Sequence, residues 1–241
     1  MNHIKAIFKK QVKDTLKNPT TLLQFIIFPG VAWAMNLVLK RTDMPPEMIA
    51  EMPNMVLMMA SIFAGMGLIP VVTGMIAEDR ERKSLRFLTM AGIKSSSYLL
   101  GIGLVVFIIS GVTSLAFAFL TDFTGTDFWI FLASMLSAVV GSILLGALFG
   151  IISNNPQAGS ALAVPVALIL GFGPMMAQFN STVARFLKFF YTQQLNTITD
   201  VLLGYDGVSA DLLQSFGIMW ANVAVLAVLF ALIYKRKGVR T

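Results

Sequence analysis

The side chains that usually carry chemistry are scarce in this sequence. Cysteine is absent and His3 is the only histidine, which leaves no thiol nucleophile, no CxxC zinc cluster and almost nothing from which to build a serine–histidine–acid triad. No GxxxxGK[ST] loop occurs, so the chain has no nucleotide site of the P-loop kind. Methionine is frequent from Met44 to Met75, and thioethers suit Cu(I). The spacing is irregular, however, and methionine is a pliable packing residue, so packing is the better reading and no metal site is assigned. What remains is one dense cluster of ionisable groups, EDRERKSLRFLTMAGIKSSSY at residues 78–98. Its chemistry is recognition. Glu78, Arg80, Glu81, Arg82, Lys83 and Arg86 can meet opposite charges on a partner, while Leu85, Phe87, Leu88 and Met90 can enter an apolar socket.

The elements that hold this cluster are apolar. Of 241 residues, 56% are hydrophobic and 12% charged, about half the ~25% charged content of a soluble domain. A mean hydropathy of +0.78 needs an apolar solvent and several spans of about 20 residues. Six such runs are present: 21–39, 55–77, 98–120, 128–153, 156–179 and 216–234. Ahead of them, residues 1–18 read as an interfacial amphipathic helix. Ile4, Ile7, Phe8, Val12 and Leu16 are assigned to one side, and Lys9, Lys10, Lys13 and Lys17 to the other. Pro29-Gly30 predicts a kink in the first span. Pro165 and Gly171-Phe172-Gly173-Pro174 predict an interrupted fifth span. Residues 180–215 read as two short amphipathic helices dipping into the membrane edge. In the fourth span Ser134, Ala138, Ser142, Gly146 and Gly150 form a row at i, i+4 spacing, and such a row of small residues predicts close packing against another helix. The fold class is therefore an all-α integral membrane protein, one domain over 1–241, with a charged loop at 78–97.

The positive-inside rule orients it. With both termini and residues 78–97 on one side, that side holds 14 of the 18 lysines and arginines but 4 of the 12 acidic residues. Both termini are expected in the cytoplasm. This distribution accounts for the net charge of +6 without invoking nucleic acid. No Asp, Glu, Lys, Arg or His falls within the six runs, whereas proton- or ion-coupled pumps carry intramembrane ionisable groups. Energy must come from a partner, or the protein is passive.

These features together resemble the permease subunit of type-2 ABC exporters, the type V exporter fold. The most specific stretch is AEDRERKSLRFLTMAGIKSSSYLLG. In that family glutamates precede a Gly-Thr-Leu turn, a short coupling helix follows, and Tyr-x-x-Gly opens the third span. Glu78, Glu81, Leu85, Tyr98 and Gly101 match; Lys83 and Ser84 replace Gly-Thr. The resemblance implies that 81–90 is the coupling helix, seated in a cleft of a separate ABC ATP-binding subunit. It implies two permeases, as a homodimer or with a sister permease, and two ATPase subunits. ATP and Mg would be bound by the partner; this chain is expected to bind no cofactor and no metal and to have no ATPase site of its own. It also implies a lid formed by the helices of 180–204. The expected function is ATP-driven export across a bacterial cytoplasmic membrane. The uncharged spans favour a hydrophobic or amphipathic substrate, a peptide toxin or bacteriocin first and a lipophilic drug second. Gln24, Asn36, Asn154 and Gln178 are the candidates for the substrate path. The rival reading is a passive scaffold, immunity protein or channel without ATP coupling.

Overall fold

A computed structural model describes residues 2–41, 54–84, 95–204 and 212–237, and every regular element among them is helical. The connector 42–53 with Met44, the stretch from Leu85 to Lys94 (with Arg86, Phe87, Leu88 and Met90) and residues 205–211 lie outside the described residues.

In chain order the helices are α1 (Asn2–Lys17), α2 (Pro19–Arg41), α3 (Met55–Glu81), α4 (Ser95–Leu120), α5 (Gly125–Ile152), α6 (Pro156–Phe179), α7 (Ser181–Leu187), α8 (Tyr191–Leu202) and α9 (Leu212–Lys237). Six of them, α2 to α6 and α9, are long and apolar enough to cross a bilayer. They run alternately up and down, so α1, the end of α3, the start of α4 and the end of α9 share one end, called here the basic end.

The core sits on α3 and α5, the two most buried long helices, while α2 and α9 lie at the periphery. Small residues make this possible. A Cβ on Gly146 would lie 2.7 Å from the Ile69 carbonyl oxygen, and one on Gly150 2.7 Å from Ile76 Cβ. Toward α6 a Cβ on Gly65 would lie 2.4 Å from the Gly171 nitrogen. Helix–helix association in lipid depends on such backbone proximity, and α3 makes it with both α5 and α6. The Thr73 hydroxyl adds a polar link, 2.8 Å from Ile69 O in its own helix and 3.1 Å from Gly146 O in α5.

One expectation is corrected: the fifth span is not interrupted, because α6 is unbroken across Pro165 and Pro174. The glycines of α6 serve contact instead: Gly171 faces Met66 and Gly173 faces Leu187. The irregular turn is in α3, a π turn at Phe63–Gly67. Pro70, three residues on, lacks the N–H that Met66 C=O would accept, which favours a change of helical register ahead of it. The buried face of α1 is Ile7, Gln11 and Thr15, Phe8 and Val12 are half-buried, Lys9, Lys10, Lys13 and Lys17 are exposed, and Leu16 is 57% exposed. Leu16 lies nine residues, two and a half turns, from Ile7 and so on the opposite face. The short helices pack on the bundle. α7 folds back on α6, and α8 packs among α5, α6 and α9 with Tyr191, Leu195 and Ile198 fully buried.

Candidate functional site

The charged segment leaves the bundle on the last turn of α3. Glu78, Arg80 and Glu81 continue that helix, so Glu81 closes α3 and does not open a separate one. Arg82 caps it, and Lys83 takes φ +54°, a left-handed conformation that costs a residue with a Cβ about 1–2 kcal/mol. This is the position at which the exporter pattern has glycine. Glu78 and Arg82 form an ion pair at 2.6 Å with both side chains substantially exposed, where such a pair stabilises little.

The segment returns at α4, and there the two stems are tied. The Tyr98 phenol donates to the Asp79 carboxylate, with Tyr98 1% exposed. One turn further on, Gly101 lets α1 seat against α4; a Cβ there would lie 2.6 Å from Ile7 Cγ2. A Tyr-x-x-Gly pair thus does two jobs in successive turns, one toward α3 and one toward α1. Arg80 Nη1 is buried with no hydrogen-bond partner among the described residues.

Beside the stems lies a polar cleft of about 890 Å³. α1 and α2 form one wall, with Gln11, Asp14 and Gln24; α3 and α6 form the other, with Glu78, Asp79 and Ser160. Lys10, also in the wall, approaches Asp14 to 3.9 Å. The cleft can accept polar or zwitterionic groups at the basic end, while the spans above it are apolar. Among the described residues no three His, Asp or Glu side chains gather as a metal site.

The four path candidates are not brought together. Gln24 lines the cleft with Glu78 and Arg82. Asn36 points its amide at Leu120 O across a long 3.5 Å, toward the opposite end. Asn154 is exposed in the turn between α5 and α6, and Gln178 is exposed near the end of α6. Asp14, Thr21 and Ser160 are cleft residues that sequence reasoning passed over; single polar residues next to apolar runs carry no signal of their own.

A second polar arrangement lies inside the bundle. Ser142 Oγ reaches the Ala64 carbonyl in the π turn, Ala138 O at 3.0 Å and Tyr191 Oη at 2.9 Å. Carbonyls only accept, so the serine proton is committed to one of them and Tyr191 donates to Ser142. The small-residue row included Ser142; nothing in the sequence paired it with Tyr191. Further along α8, burial raises Asp200 to about 6, with Asn196 Nδ2 donating to it at 3.1 Å.

The family model described as ABC-2 family transporter protein matches residues 42–232. The chain belongs to the ABC-2 transporter family. As an ABC-2 permease subunit it is a multi-pass membrane protein, and the family implies an ABC ATP-binding subunit as its partner. The matched range holds both stems, the α3 and α6 wall of the cleft and the Ser142–Tyr191 contact. The wall made by α1 and α2 precedes it. No curated protein matches the chain.

Proposed function

We propose that this ABC-2 permease subunit is the membrane part of an ATP-driven exporter, and that residues 78–97 receive movement from the ATP-binding subunit. The observation that carries the reading is the Tyr98–Asp79 hydrogen bond across the stems of that segment. A displacement imposed on the intervening residues reaches α3 and α4 together and does not splay them apart. α3 is in backbone contact with α5 and α6, so it passes the displacement to the core as a rigid movement. The same stems border the polar cleft, whose width would follow the ATP cycle.

The basic end faces the cytoplasm of a bacterial cell, by the positive-inside rule. Two copies, or one copy and a sister permease, pair with two ATPase subunits that hold ATP and Mg. Leu85, Phe87, Leu88 and Met90 enter a hydrophobic socket on the partner, and Arg80, Arg82, Lys83 and Arg86 meet its rim. The cargo is hydrophobic or amphipathic, a peptide before a drug: the spans are apolar and the cleft is polar, so an amphipathic molecule is served at both. α7 and α8 close the far end of the path.

Co-expression with its cognate ABC ATP-binding subunit tests the reading. Leu85→Asp and Phe87→Asp are expected to abolish co-purification and stimulated ATP hydrolysis. Intact complex and activity in both variants would overturn the coupling role. An unmodified chain that neither binds nor stimulates an ATPase would favour the passive scaffold, immunity protein or channel.

A further inference from the structure

The turn between α7 and α8 lies deep among the spans. Its backbone is tied there: Asn222 Nδ2 donates to Phe189 O at 2.6 Å, and Gln194 Nε2 donates to Lys188 O. Asn222 lies well inside α9, about 15 Å from its outer end at ~1.5 Å per residue. Tyr191 gives the same level. Ser142 Oγ bridges it to Ala64, which is about 14 Å from the outer end of α3. Both depths place the turn near the middle of a ~30 Å hydrocarbon layer. Irregular backbone is tolerated at that depth when its polar groups are met by protein, and here they are.

The charged side chains at the turn are not met in that way. Lys188 is exposed, with Nζ 4.8 Å from the centre of the Phe189 ring. Arg185, one turn back on the same face, is also exposed, and neither joins an ion pair among the described residues. They are the only lysine and arginine between residues 180 and 215, on the side that the positive-inside rule keeps poor in both. A lysine stem is too short to carry its charge across a ~15 Å leaflet to the surface. A cation at this depth faces water or a counter-charge, not lipid. A second copy of the chain brings no counter-charge, because no Asp or Glu falls within the six apolar runs, and Asp200 is about 14 Å further out along α8. A resident lipid keeps its phosphate at the membrane surface. Phe186 and Phe189, 65% and 61% exposed, set apolar surface beside the cations. We infer that Arg185 and Lys188 face water inside the membrane and bind the anionic group of an amphipathic molecule, whose apolar body lies on Phe186 and Phe189. On the exporter reading, on which this last step rests, that molecule is the cargo, and the cargo is an amphipathic anion.

The full-length chain in phosphatidylcholine nanodiscs, alone and with its cognate ATP-binding subunit, tests this. The chain has no cysteine, so Phe189→Cys supplies a single thiol beside both cations. A membrane-impermeant methanethiosulfonate should label it, with or without trapped nucleotide. Val112→Cys, 64% exposed on α4 and about 12 Å from its outer end, should stay unlabelled. Laurate should slow the labelling of Phe189→Cys, and dodecylamine should not. Lys188→Gln in that background should weaken the laurate effect about tenfold, the size of one hydrogen bond to a charged group, and Lys188→Arg should keep it. Laurate should also stimulate ATP hydrolysis by the parent complex more than dodecylamine does. Phe189→Cys as inert as Val112→Cys in both nucleotide states would overturn the inference. So would equal protection by the two amphiphiles, an unchanged laurate effect in Lys188→Gln, or protection by phosphatidylglycerol mixed into the bilayer. Selective protection by laurate without stimulated ATP hydrolysis would uphold the anion site and overturn the exporter reading.

Discussion

Removing the Ser142 hydroxyl should destabilise the bundle more than removing that of Tyr191, although both variants lose the same hydrogen bond. In Tyr191→Phe, Ser142 keeps a carbonyl acceptor at Ala64 or Ala138. The loss is one neutral hydrogen bond, about 0.5–1.5 kcal/mol, in keeping with the ~0.6 kcal/mol average of interhelical bonds in membranes. In Ser142→Ala, the Tyr191 phenol is left without its partner at a position 2% exposed, and the π-turn carbonyl loses a donor as well. An orphaned buried group costs about 1–3 kcal/mol. The double variant removes both hydroxyls and so relieves the orphan. It should cost less than Ser142→Ala alone, a coupling of at least about 1 kcal/mol for neighbours of this kind. The assay is SDS-induced unfolding of the detergent-solubilised chain followed by circular dichroism. If Tyr191→Phe were the more destabilising, or the two changes added, the donor assignment would be wrong and α8 would not be held through Ser142.

Gly65→Ala should abolish folding, seen as loss of the monodisperse peak in gel filtration, because its Cβ would meet Gly171 backbone at 2.4 Å and backbone cannot rotate away. Gly74→Ala, with nothing within 4 Å, should instead be neutral or stabilising by up to about 1 kcal/mol. Lys83→Gly should raise stability by about 1 kcal/mol in the same SDS titration, since it relieves the positive φ. Asp200 is raised from 3.8 to about 6, so the folded chain keeps a proton that the unfolded chain gives up. The stability due to that proton is complete below pH 3.8 and is lost as the pH rises through about 6. Asp200→Asn should therefore melt higher than the parent at pH 7.5 and equally at pH 3.5.

Periodic and cumulative features were legible in the sequence. Six apolar runs gave six long helices, and the small-residue row on α5 lies where helices touch, because a repeat every four residues is a direct image of a helix face. The π turn was not legible: it depends on how Pro70 and the Gly65–Gly171 contact settle α3 against α6, and the prolines of α6 were the louder signal. On α1 the lysine side was legible and is exposed, whereas Gln11 and Thr15 are buried by their angle toward the bundle and not by their type. The cleft was barely visible, since it joins single polar residues from four helices. Tyr98 and Gly101 stood out as a pair, but only the fold gives each its partner, Asp79 and Ile7.

The central claim is that the tied stems of 78–97 carry the ATP cycle into the bundle. Gln24→Cys and Ser160→Cys place spin labels on opposite walls of the cleft, in a chain with no other cysteine. Electron–electron distance measurement on the complex with the ATP-binding subunit, with and without trapped nucleotide, is the direct test. A nucleotide-dependent distance change is expected in the parent. With Tyr98→Phe, which loses a hydrogen bond to a charged acceptor of about 1.5–3 kcal/mol, the complex should still assemble but the change should shrink or vanish. The same full change with Tyr98→Phe, or no change in the parent, would contradict the claim.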